Sequence, residues 1–143
     1  MSYKYSEFID KIEGCPPARY SNKEITVFRW VHENMNHPND FLPVAVIDPK
    51  RLNAFMDSQQ KCTGYGISLY DSLANARKQY TIITAKYPAF REKIGTYVAE
   101  GRLTKSDGVI SPTDKKGHLT FHEYKNVNLK IQFSIVGHAD NYE

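Results

Sequence analysis

Two charged residues interrupt strand faces that are otherwise apolar. In Glu24–His32 (EITVFRWVH), alternation puts Ile25, Val27, Arg29 and Val31 on one face; in His118–Tyr124 (HLTFHEY), it puts Leu119, Phe121 and Glu123 on one face. A charge turned toward a core is costly unless it is paired or used. Arg29 and Glu123 therefore either form a structural ion pair across neighbouring strands or belong to a site. In a site, a guanidinium grips phosphate or carboxylate through paired hydrogen bonds, and a carboxylate steadies developing positive charge.

The other reactive side chains are less organised by spacing. Of the five histidines, His118 and His122 are four residues apart. In a strand that spacing separates them by about 13 Å, too far for one metal ion. Cys15 and Cys62 are isolated, with no Cys-x-x-Cys pair, so no metal is expected. His118-Leu119-Thr120-Phe121 resembles one copy of the half-motif of two-histidine phosphodiesterases, which use two. The plainer expectation is a strand whose solvent face carries His118, Thr120 and His122. Gly64-Tyr65-Gly66 lacks the spacing of a phosphate-binding loop. A serine or cysteine nucleophile has no elbow motif, and no histidine is placed by sequence to activate one.

The order Arg29, Ser68, Glu123 resembles the arginine–serine–glutamate form of the ADP-ribosyltransferase superfamily. The matching patches are Val27-Phe28-Arg29-Trp30, then Gly66-Ile67-Ser68-Leu69-Tyr70-Asp71-Ser72 leading to Ala74, Ala76 and Tyr80, then the late strand carrying Glu123. Size and layout are similar to compact toxin-type members. The resemblance implies NAD as donor. Arg29 would hold the pyrophosphate, Ser68 would orient the nicotinamide side, and Tyr70 or Tyr65 would stack on the nicotinamide ring. Glu123 would bind a ribose hydroxyl and steady the oxocarbenium-like charge as nicotinamide leaves. Ser68 and Glu123 are then the catalytic candidates, and Arg29, Tyr70 and Tyr65 the cofactor-binding ones. The family reading covers active and degenerate forms.

The elements that would position these residues are legible in part. Ser6 can cap a short helix carrying Phe8 and Ile12, ended by Cys15-Pro16-Pro17. Phe41–Ile47 is apolar, but Pro43 limits it to an edge strand at best. Asp48-Pro49 begins a short helix with Leu52, Phe55 and Met56. Gly64–Tyr70 reads as a strand, with Asp71 or Ser72 capping the next helix. There Leu73, Ala76, Tyr80, Ile83 and Tyr87 form one apolar stripe, stopped by Pro88. Phe90–Val98 reads as a helix or a helix-to-strand transition, and Gly101–Gly117 as a polar stretch with turns. Leu129, Ile131, Phe133 and Ile135 alternate in a last strand, expected to pair with His118–Tyr124 as a hairpin. The tail from Gly137 is polar and expected to fray. The expectation is one compact α+β domain over 1–143. It has an antiparallel or mixed sheet, a C-terminal β-hairpin and three to four flanking helices.

At 143 residues, 41% apolar and 24% charged, the chain has enough apolar content to fold around a core. Two cysteines make no disulfide framework, so they are read as reduced thiols and the protein as cytoplasmic. No apolar stretch suits a membrane span, and the N-terminal residues have no signal-peptide core. A net charge of +3, with lysines around the C-terminal strands and the middle helices, keeps a nucleotide or nucleic acid in play as partner. A non-enzymatic protein-binding module, such as one half of a toxin–antitoxin or immunity pair, is the remaining alternative.

Overall fold

Alternating β-branched and aromatic residues produce six strands among the described residues, and these join in one antiparallel sheet. They are β1 (Ile25–Val31), β2 (Ile67–Tyr70), β3 (Tyr97–Leu103), β4 (Gly108–Ile110), β5 (His118–Glu123) and β6 (Phe133–His138), in the spatial order β4-β5-β2-β1-β3-β6. The computed structural model of the protein describes residues 2–54 and 57–140. Five α-helices flank the sheet among those residues: α1 (Ser6–Ile9), α2 (Val44–Ile47), α3 (Ser58–Gly64), α4 (Leu73–Lys86) and α5 (Phe90–Ile94). The α+β class expected from the sequence is the class observed. None of the described helices is long and apolar enough to cross a membrane.

The sheet buries both faces. One face packs Val27, Val31, Ile67, Leu69, Leu103, Leu119, Phe121 and Phe133 into the main core. The other packs Phe28, Trp30, Tyr70 and Val98 against Ala76 and Tyr80 of α4. This second layer is tied by hydrogen bonds as well as by area. The Tyr80 hydroxyl donates to the Gly95 carbonyl at 2.7 Å, and the Trp30 indole donates to the Ala76 carbonyl at 2.9 Å. Helix α4 starts where Ser72 accepts from the Asn75 amide at 3.0 Å, a cap contributing about 1 kcal/mol.

Several expectations are corrected. The two C-terminal strands do not form a hairpin: β5 sits between β2 and β4, and β6 pairs with β3. Residues Leu129–Gln132 form a 3-10 turn instead of the start of the last strand. Ile131, placed by alternation on the core face, is 80% exposed in consequence. Phe41–Ile47 is not a strand. A 3-10 turn over Pro38–Phe41 leads to α2, with Pro43 as its N-cap, because the fixed φ of proline suits a helix start. The 3-10 turn Pro49–Ala54 occupies the expected helix, while Phe55 and Met56 lie outside the described residues. Helix α3, capped by Asp57 accepting from the Gln60 amide at 2.9 Å, has no counterpart in the sequence reading. β3 and β4 enter the stretch read as polar loop, and β6 carries the tail into the sheet as far as His138.

The reduced-thiol reading is also overturned, because Cys15 and Cys62 form a disulfide. It pins the segment after α1 to the last turn of α3. Closing 47 residues, it contributes about 4 kcal/mol in the chain-entropy account.

Candidate active site

The site lies where β1 and β2 separate. The two strands pair at a single register position, Phe28 with Tyr70, and diverge from there. The Arg29 guanidinium occupies the opening. Its Nε donates to the Asp40 carbonyl at 2.6 Å, and its two terminal nitrogens donate to the Ser68 carbonyl at 2.8 Å and the Leu42 carbonyl at 3.1 Å. The charge that interrupted an apolar face is thus held by three main-chain dipoles. Burial lowers the Arg29 pKa to about 10, with the Asp40 and Glu123 charges opposing the shift, so the group stays charged at neutral pH. Three of its five N–H groups are used.

Arg29 borders a cavity of about 480 Å³, within the range of small-molecule sites. Trp30, Ser68, Tyr70, His118 and Thr120 line its sheet side. Ile83 of α4 with Phe90 and Ile94 of α5 give it an apolar wall, and an Asp48–Lys93 ion pair of 3.6 Å lies at its border.

Ser68 and His118 are in close contact in the lining of this cavity. β2 and β5 align Ser68 with Thr120 and Tyr70 with His118, so the Ser68 and His118 side chains are diagonal neighbours on one face. The Ser68 hydroxyl lies 2.5 Å from His118 Nε2. On the other side of the ring, Asp114 stands 3.9 Å from Nδ1, too far for a direct hydrogen bond but near enough to orient the ring by charge. Asp114 is held in turn by accepting from the Lys116 and His118 amides at 2.8 and 2.9 Å. The Tyr70 ring meets His118 edge to face at 5.4 Å. Burial pushes the His118 pKa below the usual imidazole range, with Asp114 opposing, so the ring is neutral at pH 7 and able to accept a proton. Sequence spacing places no histidine beside Ser68; the pairing of β2 with β5 brings His118 to it. The solvent face expected for β5 is corrected, since Thr120 and His122 are buried and His118 is partly covered.

Of the five residues selected from sequence, Arg29, Ser68 and Tyr70 meet in the cavity. Glu123 and Tyr65 do not line it. Glu123 is buried on the opposite face, with Leu119 and Phe121. Its Oε2 accepts from Lys4 Nζ at 3.0 Å, and among the described residues its Oε1 has no hydrogen-bond partner. Burial raises the Glu123 pKa while Lys4 and then Arg29 pull it down. Tyr5, nearby, is pushed up to about 12 by burial and by the Glu123 charge. Arg29 and Glu123 thus sense each other's charge without pairing. Tyr65 stacks on Phe8 at 5.1 Å in a separate cluster with Ile9 and Ala45.

A second group of reactive side chains went unseen in the sequence. Cys15, Cys62 and His122 place their ligand atoms within 4.8 Å of one another. Burial lowers the His122 pKa to about 4, so its ring is neutral. Neither cluster was visible from spacing, because both depend on which strands and loops become neighbours.

No family model matches this chain, and no curated protein or solved structure matches it either.

Proposed function

We propose that the cavity binds NAD in an ADP-ribosyltransferase-like manner, and that Ser68 with His118, not Glu123, performs the chemistry. The observation that supports this is the convergence of Arg29, Ser68 and Tyr70 on one cavity of about 480 Å³. The remaining N–H groups of Arg29 hold the diphosphate. The rings of Tyr70 and Trp30, tilted against each other with centroids 5.1 Å apart, offer an aromatic wall to the nicotinamide ring. An acceptor O–H, water in the simplest case, loses its proton to His118 Nε2 by way of the Ser68 hydroxyl. Its oxygen bonds to the anomeric carbon of the nicotinamide ribose. The carbon–nitrogen bond breaks, and nicotinamide departs neutral with the bonding electron pair. Asp114 and Tyr70 orient the imidazole. Glu123 and Lys4 form a structural pair. The test is nicotinamide release from NAD by wild type and by His118→Gln. Release that the variant reduces supports the reading, and equal release by a folded variant contradicts it.

The 2.5 Å Ser68–His118 contact also favours a second reading, in which Ser68 Oγ is itself the nucleophile toward a small ester. Labelling of Ser68 by a fluorophosphonate probe distinguishes that reading. A protein-binding role has less behind it, since the large exposed apolar side chains Phe8, Ile82, Tyr87, Ile131 and Val136 are spread over different elements. The disulfide favours an oxidising compartment over the reducing cytoplasm expected from isolated cysteines.

A further inference from the structure

We propose that the Cys15–Cys62 disulfide and a zinc(II) site are alternative states of one corner of the fold, with His122 as the third ligand. The three side chains come from the segment after α1, from α3 and from β5, and their ligand atoms lie within 4.8 Å of one another. His122 Nε2 is 3.9 Å from Cys62 Sγ. A tetrahedral zinc with bonds of about 2.3 Å to sulfur and about 2.0 Å to nitrogen sets such ligand atoms about 3.6 Å apart. Cys62 and His122 therefore already stand close to ligand spacing. The Cα atoms of the two cysteines are 5.6 Å apart, so side-chain rotation can part the sulfurs to the separation two zinc-bound thiolates need.

The imidazole suits the role chemically. Only 3% of His122 is exposed, so the imidazole stands beside the two sulfurs shielded from bulk water. Space is kept for the ring by Gly66, where an added Cβ would stand 3.3 Å from His122 Nε2 and 2.4 Å from the Thr120 methyl group. Tyr20 covers the ring at 5.9 Å. Three protein ligands leave a fourth position for water.

The conversion balances. A dithiol or phosphine reductant supplies two electrons, the S–S bond breaks and two thiols form. Zinc binding then displaces one proton from each thiol. The exchange bears on the cavity, because Thr63, Gly64 and Gly66, which follow Cys62, line it. Reduction without metal frees that wall, and zinc fixes it again. The inference stands independently of NAD binding.

The test uses the whole chain reduced with a phosphine and titrated with cobalt(II) as the spectroscopic stand-in for zinc. The expected result is one equivalent bound, with a thiolate-to-cobalt charge-transfer band that zinc abolishes and that the oxidised protein does not develop. Cys62→Ser removes most of the band. His122→Gln weakens cobalt binding by at least about tenfold, as removal of a direct ligand should exceed loss of an outer partner. Near-ultraviolet circular dichroism monitors folding: a native signal lost on reduction and restored by zinc supports the proposal. A reduced protein that keeps its native signal but shows no charge-transfer band overturns it. A signal that zinc fails to restore also overturns it, as does unchanged cobalt affinity in His122→Gln.

Discussion

Ser68 Oγ and His118 Nε2 lie 2.5 Å apart on adjacent antiparallel strands, in the wall of the cavity that Arg29 borders. Fifty residues of chain separate them. Only the pairing of β2 with β5 brings a hydroxyl that opens to the cavity next to a neutral imidazole.

That contact predicts a separation of binding from turnover. Ser68→Ala and His118→Gln are expected to lower nicotinamide release at least about 100-fold, the usual scale for losing a general base. Affinity for NAD should stay within about threefold, since neither side chain is assigned to the diphosphate. Parallel titration and rate measurements check this. Loss of binding in step with rate would assign the pair to ligand contact alone.

The pH profile follows from His118. Its pKa is lowered by burial, and the proposed reaction needs the neutral ring. The rate constant should be flat through neutral pH and fall only below the ordinary imidazole value of about 6.5. A profile with its inflection above pH 7 would remove His118 from the role of base.

His122 makes a prediction about stability. Its pKa is lowered from 6.5 to about 4 by burial. The unfolded state binds more protons between those values, so stability rises with pH across that window. The contribution is fully present above the unfolded value of 6.5 and is lost as pH falls toward 4, amounting to about 3 kcal/mol. Urea midpoints of wild type between pH 7 and 4, set beside those of His122→Gln, measure it. The variant should lose less stability than wild type over that range.

The Lys4–Glu123 pair predicts an asymmetry. Lys4→Met leaves the buried Glu123 carboxylate without its cation and is expected to destabilise by about 3 kcal/mol. Glu123→Gln removes the buried charge, and Lys4 can turn to water, so the cost should be smaller. Neither substitution should change the affinity for NAD. A Glu123→Gln variant that folds but fails to bind NAD would restore Glu123 to the site.

The sequence was most legible where local rules decide. The buried centre of the α4 stripe, Ala76 and Tyr80, and the two interrupted strand faces follow from side-chain period, whereas Tyr87, assigned to the same stripe, is the C-cap and 55% exposed; of the two cap candidates, Asp71 and Ser72, the structure uses Ser72. The same period carried a warning. Alternation placed Arg29 and Glu123 with the core residues, whereas Ser68 and Tyr70 alternate with Ile67 and Leu69. Register puts Ser68 opposite Thr120, hence on the other face from Glu123. Arg29 reaches the cavity only because β1 and β2 diverge beside it, which no local pattern encodes. The disulfide, the Ser68–His118 contact and the Cys–His cluster depend on long-range pairing and were hidden for that reason. The expected hairpin failed because β3 offered β6 an edge and β5 was already flanked by β2 and β4.

The most direct measurement is a calorimetric titration of NAD into the folded, oxidised protein and into Arg29→Lys. Saturable one-to-one binding is predicted, weakened at least about tenfold in the variant, which loses the forked geometry of the guanidinium. Absence of saturable binding at millimolar NAD in a protein with native circular dichroism would contradict the account.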